Sequence, residues 1–319
     1  MVANPHTFGL GHMHSFFCIG ALASPLICQT LIARGWPWQN FYYLSVTIPV
    51  INFFTVLMTF RSSLSEFLID KEKAITGGIS LQRIVRGDVP EGSVRPTVAG
   101  ATAVDVEPSE GATTPKQSSR HNLPRNMFMT TVKTPTVWAF GFFISMYTGS
   151  EGVTSGYIVT YLLKMRSADP SVVGYANSAF WAGAAVGRLA LGYTSPLMGR
   201  RKPYWIFAFI IFAMSFHLCI WFIPSFAIGW AMTALAGLSM GPVFPLSLEI
   251  ASRNLSPAII SSALAIMSSM GNLGGAFYPF MTGLLSNAEG EKVIEPLVVS
   301  LLGTMFCFWA VTRAHFSYK

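Results

Sequence analysis

About eight stretches of this chain are apolar over the roughly 20 residues that a bilayer-spanning helix needs, and this limits the fold more than any other feature. They cover residues 8–31, 41–60, 136–163, 172–197, 204–223, 226–251, 258–285 and 293–311. Hydrocarbon offers the backbone no hydrogen bonds, so runs of this length spanning a membrane fold as helices. The expected fold class is therefore an all-α, multi-pass membrane bundle in contact with lipid. Only 11% of the residues are charged, against roughly 25% in a soluble domain. The net charge of +7 sits in loops between the runs rather than in a basic patch with interleaved aromatics. That pattern argues for cytoplasmic basic loops and against a nucleic-acid partner. Cys18, Cys28, Cys219 and Cys307 fall inside apolar runs without metal-ligand spacing, so no disulfide, metal or cofactor is expected. The opening MVANPHTF has no basic segment, and no signal peptide is expected there.

The runs divide the chain into three parts. Residues 1–60 hold two membrane helices and residues 136–319 hold six. Residues 61–135 are rich in Gly, Pro, Ser and Thr and carry charges of both signs. This loop is expected to be cytoplasmic and largely disordered, above all over 94–117, with a short amphipathic helix at 64–75.

Polar residues within the apolar runs are costly in lipid and mark function by default. In the run at 136–163, Tyr147, Glu151, Thr154, Ser155 and Tyr161 fall near one helical stripe. Gly149, Gly152 and Gly156 lie on the other side and suit close packing. Asn177, Trp181 and Arg188 share one face of the next run. That run has Gly183 and Gly187 four apart and closes in a basic turn, Gly199-Arg200-Arg201-Lys202. His217 stands in a bulky apolar run, where a packing or lipid-facing place is expected. In the following run Gly237 and Gly241 repeat the four-residue spacing, and Pro242 and Pro245 should kink the helix. Glu249 and Arg253 are i, i+4 near its end. Asn272 lies among Gly271, Gly274 and Gly275. His12 and His14 precede a Gly-Ala-x-x-Ser-Pro segment in the first run; such histidines titrate near neutral pH or simply pack.

The Gly187-Arg188 step followed by the Gly199-Arg200-Arg201-Lys202 turn resembles the C-half signature loop of the major facilitator superfamily. The acidic residue often found before the turn is absent; Thr194 and Ser195 occupy that region. The histidine and Gly-Ala-small-Pro segment, the Tyr-x-Gly-x-Glu segment at 147–151 and the glycine- and proline-rich stretches at 236–253 and 269–283 resemble the fucose-permease-like branch, closest to uncharacterised fungal members. By that resemblance the runs correspond to helices five to twelve, and four helices of a twelve-helix fold are missing.

The resemblance implies a secondary transporter, expected to be a monomer, that carries a small polar solute, sugar-like or other, by alternating access and couples it to protons. Glu151, Tyr147, Ser155, Asn177 and Asn272 are the expected solute- or proton-binding residues. Arg188, Arg200, Arg201, Glu249 and Arg253 are expected to form a gating charge network, with Glu249 approaching Arg188 or Arg201. Both termini and the basic turn are expected on the cytoplasmic side, and the acidic loop at 287–295 opposite. Two other readings stay open: an inserted but inactive fragment of such a transporter, and an intramembrane enzyme. No paired acidic motif, metal cluster or Ser/His pair in the helices supports the enzyme.

Overall fold

A computed structural model describes residues 5–59, 127–256 and 258–315, with side chains from residue 16 onward except those of 127, 192, 196, 314 and 315. The side chains of His12 and His14, and the loop and amphipathic helix expected at 61–126, lie outside the described residues. The helices are α1 (Pro5–Ala33), α2 (Asn40–Thr59), α3 (Met127–Lys133), α4 (Pro135–Met165), α5 (Tyr175–Met198), α6 (Lys202–Phe222), α7 (Phe226–Met240), α8 (Val243–Asn254), α9 (Ile260–Glu289) and α10 (Ile294–His315). Short 3-10 turns at Gly199–Arg201 and Glu291–Val293 precede α6 and α10. All regular structure among the described residues is helical.

The chain falls into two compact units. Met1–Phe41 groups with Asn122–Lys319, and Tyr42–His121 forms the other. Within the larger unit the contacts seat α1 along α5. In the second unit the described part is most of α2, an apolar helix with Pro49 inside it and no buried residue.

In the large unit α4 packs on α9 and α10, α5 on α7, and α6 on α7 and α10. Glycine spacing decides the α5–α7 contact. A Cβ added at Gly183 would run into the Ala234 carbonyl, and one at Gly187 into the Leu238 carbonyl. Reciprocally, a Cβ at Gly237 would meet the Phe180 carbonyl, and one at Gly241 the Ala184 carbonyl. Two small-xxx-small faces thus interlock backbone against backbone. On α4, Gly149 makes room for the Tyr278 ring of α9 and Gly152 for the Pro279 ring and the Gly275 carbonyl, but Gly156 faces open space. The core between α4 and α10 is aromatic: Trp309 meets Phe143 at 4.8 Å and Phe140 at 5.8 Å. Its buried indole donates to the Pro203 carbonyl at 3.0 Å, satisfying the polar handle.

The run at 226–251 is two helices. Pro245 has no N–H to offer the Gly241 carbonyl, and Pro242 none to offer Leu238, so the ladder breaks between α7 and α8. Gly199 turns the chain from α5 into α6 at φ +48°, a conformation glycine adopts without steric cost. A short helix, α3, occupies the end of the expected loop. Its Val132 carbonyl accepts from the Trp138 indole at 2.6 Å.

Five described stretches are long and apolar enough to cross a membrane: Phe16–Ala33, Asn40–Thr59, Gly199–Phe222, Phe226–Asn254 and Glu291–Arg313. The other three expected runs became α4, α5 and α9. They fall below that apolarity because they concentrate glycines, hydroxyls and amides among the apolar residues.

Candidate functional site

Glu151 sits near the middle of α4, a helix roughly 46 Å long at 1.5 Å per residue. One turn earlier, Tyr147 projects from the same face, and its hydroxyl donates to Glu151 Oε1 at 3.0 Å. Across the helix interface, Arg188 Nη2 donates to the same carboxylate oxygen at 2.8 Å and to the Tyr147 hydroxyl at 3.3 Å. The ion pair is deeply buried, with side-chain exposures of 3% for Arg188 and 11% for Glu151. Arg188 Nε donates to the Gly241 carbonyl at 3.2 Å, the acceptor that Pro245 leaves unpaired. Its Nη1 donates to Cys18 Sγ of α1 at 2.7 Å. One guanidinium therefore ties together α4, the α7–α8 break and α1. Five fixed N–H groups on a permanent charge make arginine suited to such a junction.

The structure brings Tyr147, Glu151 and Arg188 together, and separates the remaining expected residues from them. The Ser155 hydroxyl turns to the Gly152 carbonyl of its own helix at 3.5 Å. Asn272 is exposed on α9. The Asn177 Oδ1 is buried without a hydrogen-bond partner, as is the Ser178 hydroxyl beside it. The expected polar stripe on α4 splits: Thr154 turns to α6, and Tyr161 accepts from Arg166 at 3.1 Å.

A second charge cluster closes the basic turn. Lys202 Nζ donates to Glu249 Oε1 and, at 2.7 Å, to the Ser195 hydroxyl, which donates on to Glu249 Oε2 at 3.1 Å. Arg253 reaches Glu249 Oε1 at 2.8 Å from one turn away. Glu249 thus meets Lys202 and Arg253 rather than Arg188 or Arg201. Arg188 is spent on Glu151, some ten residues up α5, and Arg200 and Arg201 are exposed in the 3-10 turn. The acid missing from the turn is supplied by α8, with Ser195 as the bridge.

A third polar centre lies where apolar packing is expected. His217 of α6 and Glu295 of α10 pair at 2.8 Å with side-chain exposures of 0% and 1%. Thr154 Oγ1 is 3.4 Å from the other ring nitrogen. Glu295 is therefore not part of an exposed acidic loop; it is the first-turn acid of α10, drawn inward. The signal was present in the sequence: a single histidine in a bulky apolar run carries the same burial cost that marks Glu151.

A bundle of long apolar helices around buried ion pairs defines an integral membrane protein. Residues 138–316, more than half of the chain, match the Major Facilitator Superfamily model, and the chain belongs to that family of membrane transporters. Among curated proteins it is 21% identical over 308 residues to Bypass of stop codon protein 6 of Saccharomyces cerevisiae, covering 93% of this chain and 56% of the relative. It is 24% identical over 153 residues to the glucose/mannose transporter GlcP of Bacillus subtilis, covering 47% of this chain and 36% of that protein. The chain thus spans about half, or less, of the curated relatives it matches. Among solved structures, a bacterial homologue of the human lysosomal transporter Spinster, inward-facing and unoccupied, aligns with a TM-score of 0.46 at 12% identity. That alignment covers 66% of this chain and 53% of the other.

Proposed function

We propose that this chain moves a small polar, sugar-like solute across a membrane by alternating access, coupled to protons, with Glu151 as the coupling carboxylate. The observation that carries the reading is the single buried cluster in which Arg188 binds Glu151, Tyr147 and Cys18 of α1 at once. Protonating Glu151 removes the charge that holds Arg188, and Arg188 is what ties α4 to α1. A proton taken up at Glu151 therefore loosens the junction between α1 and the bundle, the kind of joint that a rocking mechanism must open. Asn177, with its unpartnered buried Oδ1, is a candidate for a solute contact. The relative whose name states a solute, the Bacillus glucose/mannose transporter, supports a sugar. The termini and the Lys202–Glu249 cluster are assigned to the cytoplasmic face by the basic turn.

The test is uptake of a panel of sugars and polyols by the chain in proteoliposomes, with and without an inward proton gradient. Gradient-driven accumulation that Glu151→Gln abolishes, with solute exchange retained, supports the reading. Accumulation unchanged in Glu151→Gln removes the carboxylate from the mechanism, and absence of any solute flux refutes transport by this chain.

A further inference from the structure

The basic turn divides its charges. Lys202 is buried, and its ammonium is spent on Glu249 and Ser195. Arg253 is spent on the same carboxylate. Arg200 and Arg201 stand exposed in the 3-10 turn between α5 and α6. Arg313, in the last turn of α10, lies over the Tyr204 ring, 3.6 Å from its centroid. Tyr204 follows Arg201 by about one helical turn. The Trp309 indole, bonded to the Pro203 carbonyl, seats the end of α10 against the start of α6. Three guanidinium groups therefore gather at one end of α6. Among the described residues none of the three has a carboxylate partner. Glu249 is the one described acid at this end, and Lys202 and Arg253 already share it.

Apolar side chains continue from the arginines into the membrane. Tyr204 and Trp205 are exposed in the first turn of α6. From Trp205 a row of rings runs along one face of the helix through Phe209, Phe212 and Phe216, at i, i+4, i+7 and i+11. Trp205 meets Phe209 at 6.1 Å, and Phe212 stacks on Phe216 at 6.5 Å. At 1.5 Å per residue the row is about 16 Å long, close to half of the roughly 30 Å hydrocarbon core of a bilayer. It thus has the length of one leaflet. Tyr and Trp with cations just beyond them mark the depth at which headgroups lie. The planar fork of arginine pairs two parallel N–H groups with phosphate oxygens.

We propose that Arg200, Arg201 and Arg313 bind the headgroup phosphate of an anionic phospholipid, with one acyl chain lying along the Trp205–Phe216 ridge of α6. A soluble anion would meet the arginines alone and leave the ridge no part in binding. The inference goes beyond the transport reading, depends on no solute, and holds for either orientation of the chain.

Native mass spectrometry of the full chain, released from micelles holding equal amounts of phosphatidylserine and phosphatidylcholine, tests the site. A basic side chain at a membrane surface favours an anionic headgroup by roughly fivefold, so the three together should enrich phosphatidylserine by at least about tenfold. Arg200→Gln combined with Arg201→Gln should cut that enrichment by about tenfold, and adding Arg313→Gln should abolish it. Lys164→Gln with Lys292→Gln, exposed cations at the opposite end of the bundle, should leave it unchanged. An excess of inorganic phosphate should not displace the lipid; displacement would assign the arginines to a soluble anion and overturn the proposal. Equal retention of both lipids by the wild type would mean that another group holds the arginines, such as the acids of residues 61–126, and overturns it as well. So does enrichment that survives the loss of all three arginines. Circular dichroism checks that each variant is folded. If the triple variant is not, the double variant, confined to the exposed turn, still decides.

Discussion

Arg188 and Glu151 should be energetically inseparable, and the structure sets the size of the effect. Replacing Arg188 by Leu leaves a carboxylate buried to 11% exposure without its counter-charge. Breaking a buried pair from one side costs about 3–5 kcal/mol. It also strips the Gly241 carbonyl of its donor, an unsatisfied buried acceptor costing about 1–3 kcal/mol. The reverse change, Glu151→Gln, keeps the shape and leaves acceptors for Arg188 at Gly241 and Cys18, but the guanidinium cannot discard its charge. That loss also falls in the 3–5 kcal/mol range. The double variant buries neither charge, so its loss should be smaller than the sum of the two by about 2 kcal/mol or more. Equilibrium unfolding in mixed micelles, followed by tryptophan fluorescence, measures all four corners of the cycle. Losses that add to within about 0.5 kcal/mol would show two independent residues, and the argument from a shared ion pair would fail.

Three further outcomes follow from the contacts. Gly237→Val drives a side chain into the Phe180 carbonyl and should unfold the α5–α7 contact, whereas Gly303→Val meets open space and should leave thermal stability nearly unchanged; equal effects would contradict the interlock. Cys18 is fully buried against Arg188, so with the other cysteines replaced it should react with a soluble thiol reagent at least about tenfold more slowly in the folded chain than in the unfolded chain, and Arg188→Leu should narrow that gap. Glu249→Lys turns two attractions, to Lys202 and Arg253, into repulsions and should lower the unfolding free energy by about 1–2 kcal/mol, with Glu249→Gln intermediate; an unchanged midpoint for both variants would dissolve the cluster.

What could be read in the sequence was whatever lipid imposes on one helix at a time. Runs of membrane length stand out, and so does Glu151, because a carboxylate amid apolar residues is costly wherever its helix points. The glycine pairs 183/187 and 237/241 likewise read as packing faces, although nothing local says that they pack on each other. Pairings across helices escaped the reading because they depend on how each helix is rotated about its axis. Arg188 therefore looked like a neighbour of the basic turn and proved to be the partner of Glu151. Glu295 looked like loop charge because Glu289, Glu291 and Lys292 precede it, yet the first turn of α10 points it at His217. Gly156 continues the spacing of Gly149 and Gly152, but a side chain added there would meet open space.

The placement of the two ionisable centres relative to α4 has a mechanical consequence. Glu151 and Thr154 are three residues apart, about 60° around the helix, so one short segment touches Arg188 on one side and His217 on the other. Between them Gly152 holds the backbone of α4 against Gly275 and Pro279 of α9. The helical hydrogen bonds that join Glu151 to Thr154 let this short stretch of α4 turn or slide only as a unit. A shift large enough to part Glu151 from Arg188 therefore moves Thr154 against His217 in the same step. Charge changes at the two centres act on one rigid segment. That is the physical condition for coupling between them, and it requires no chain of intermediate side chains.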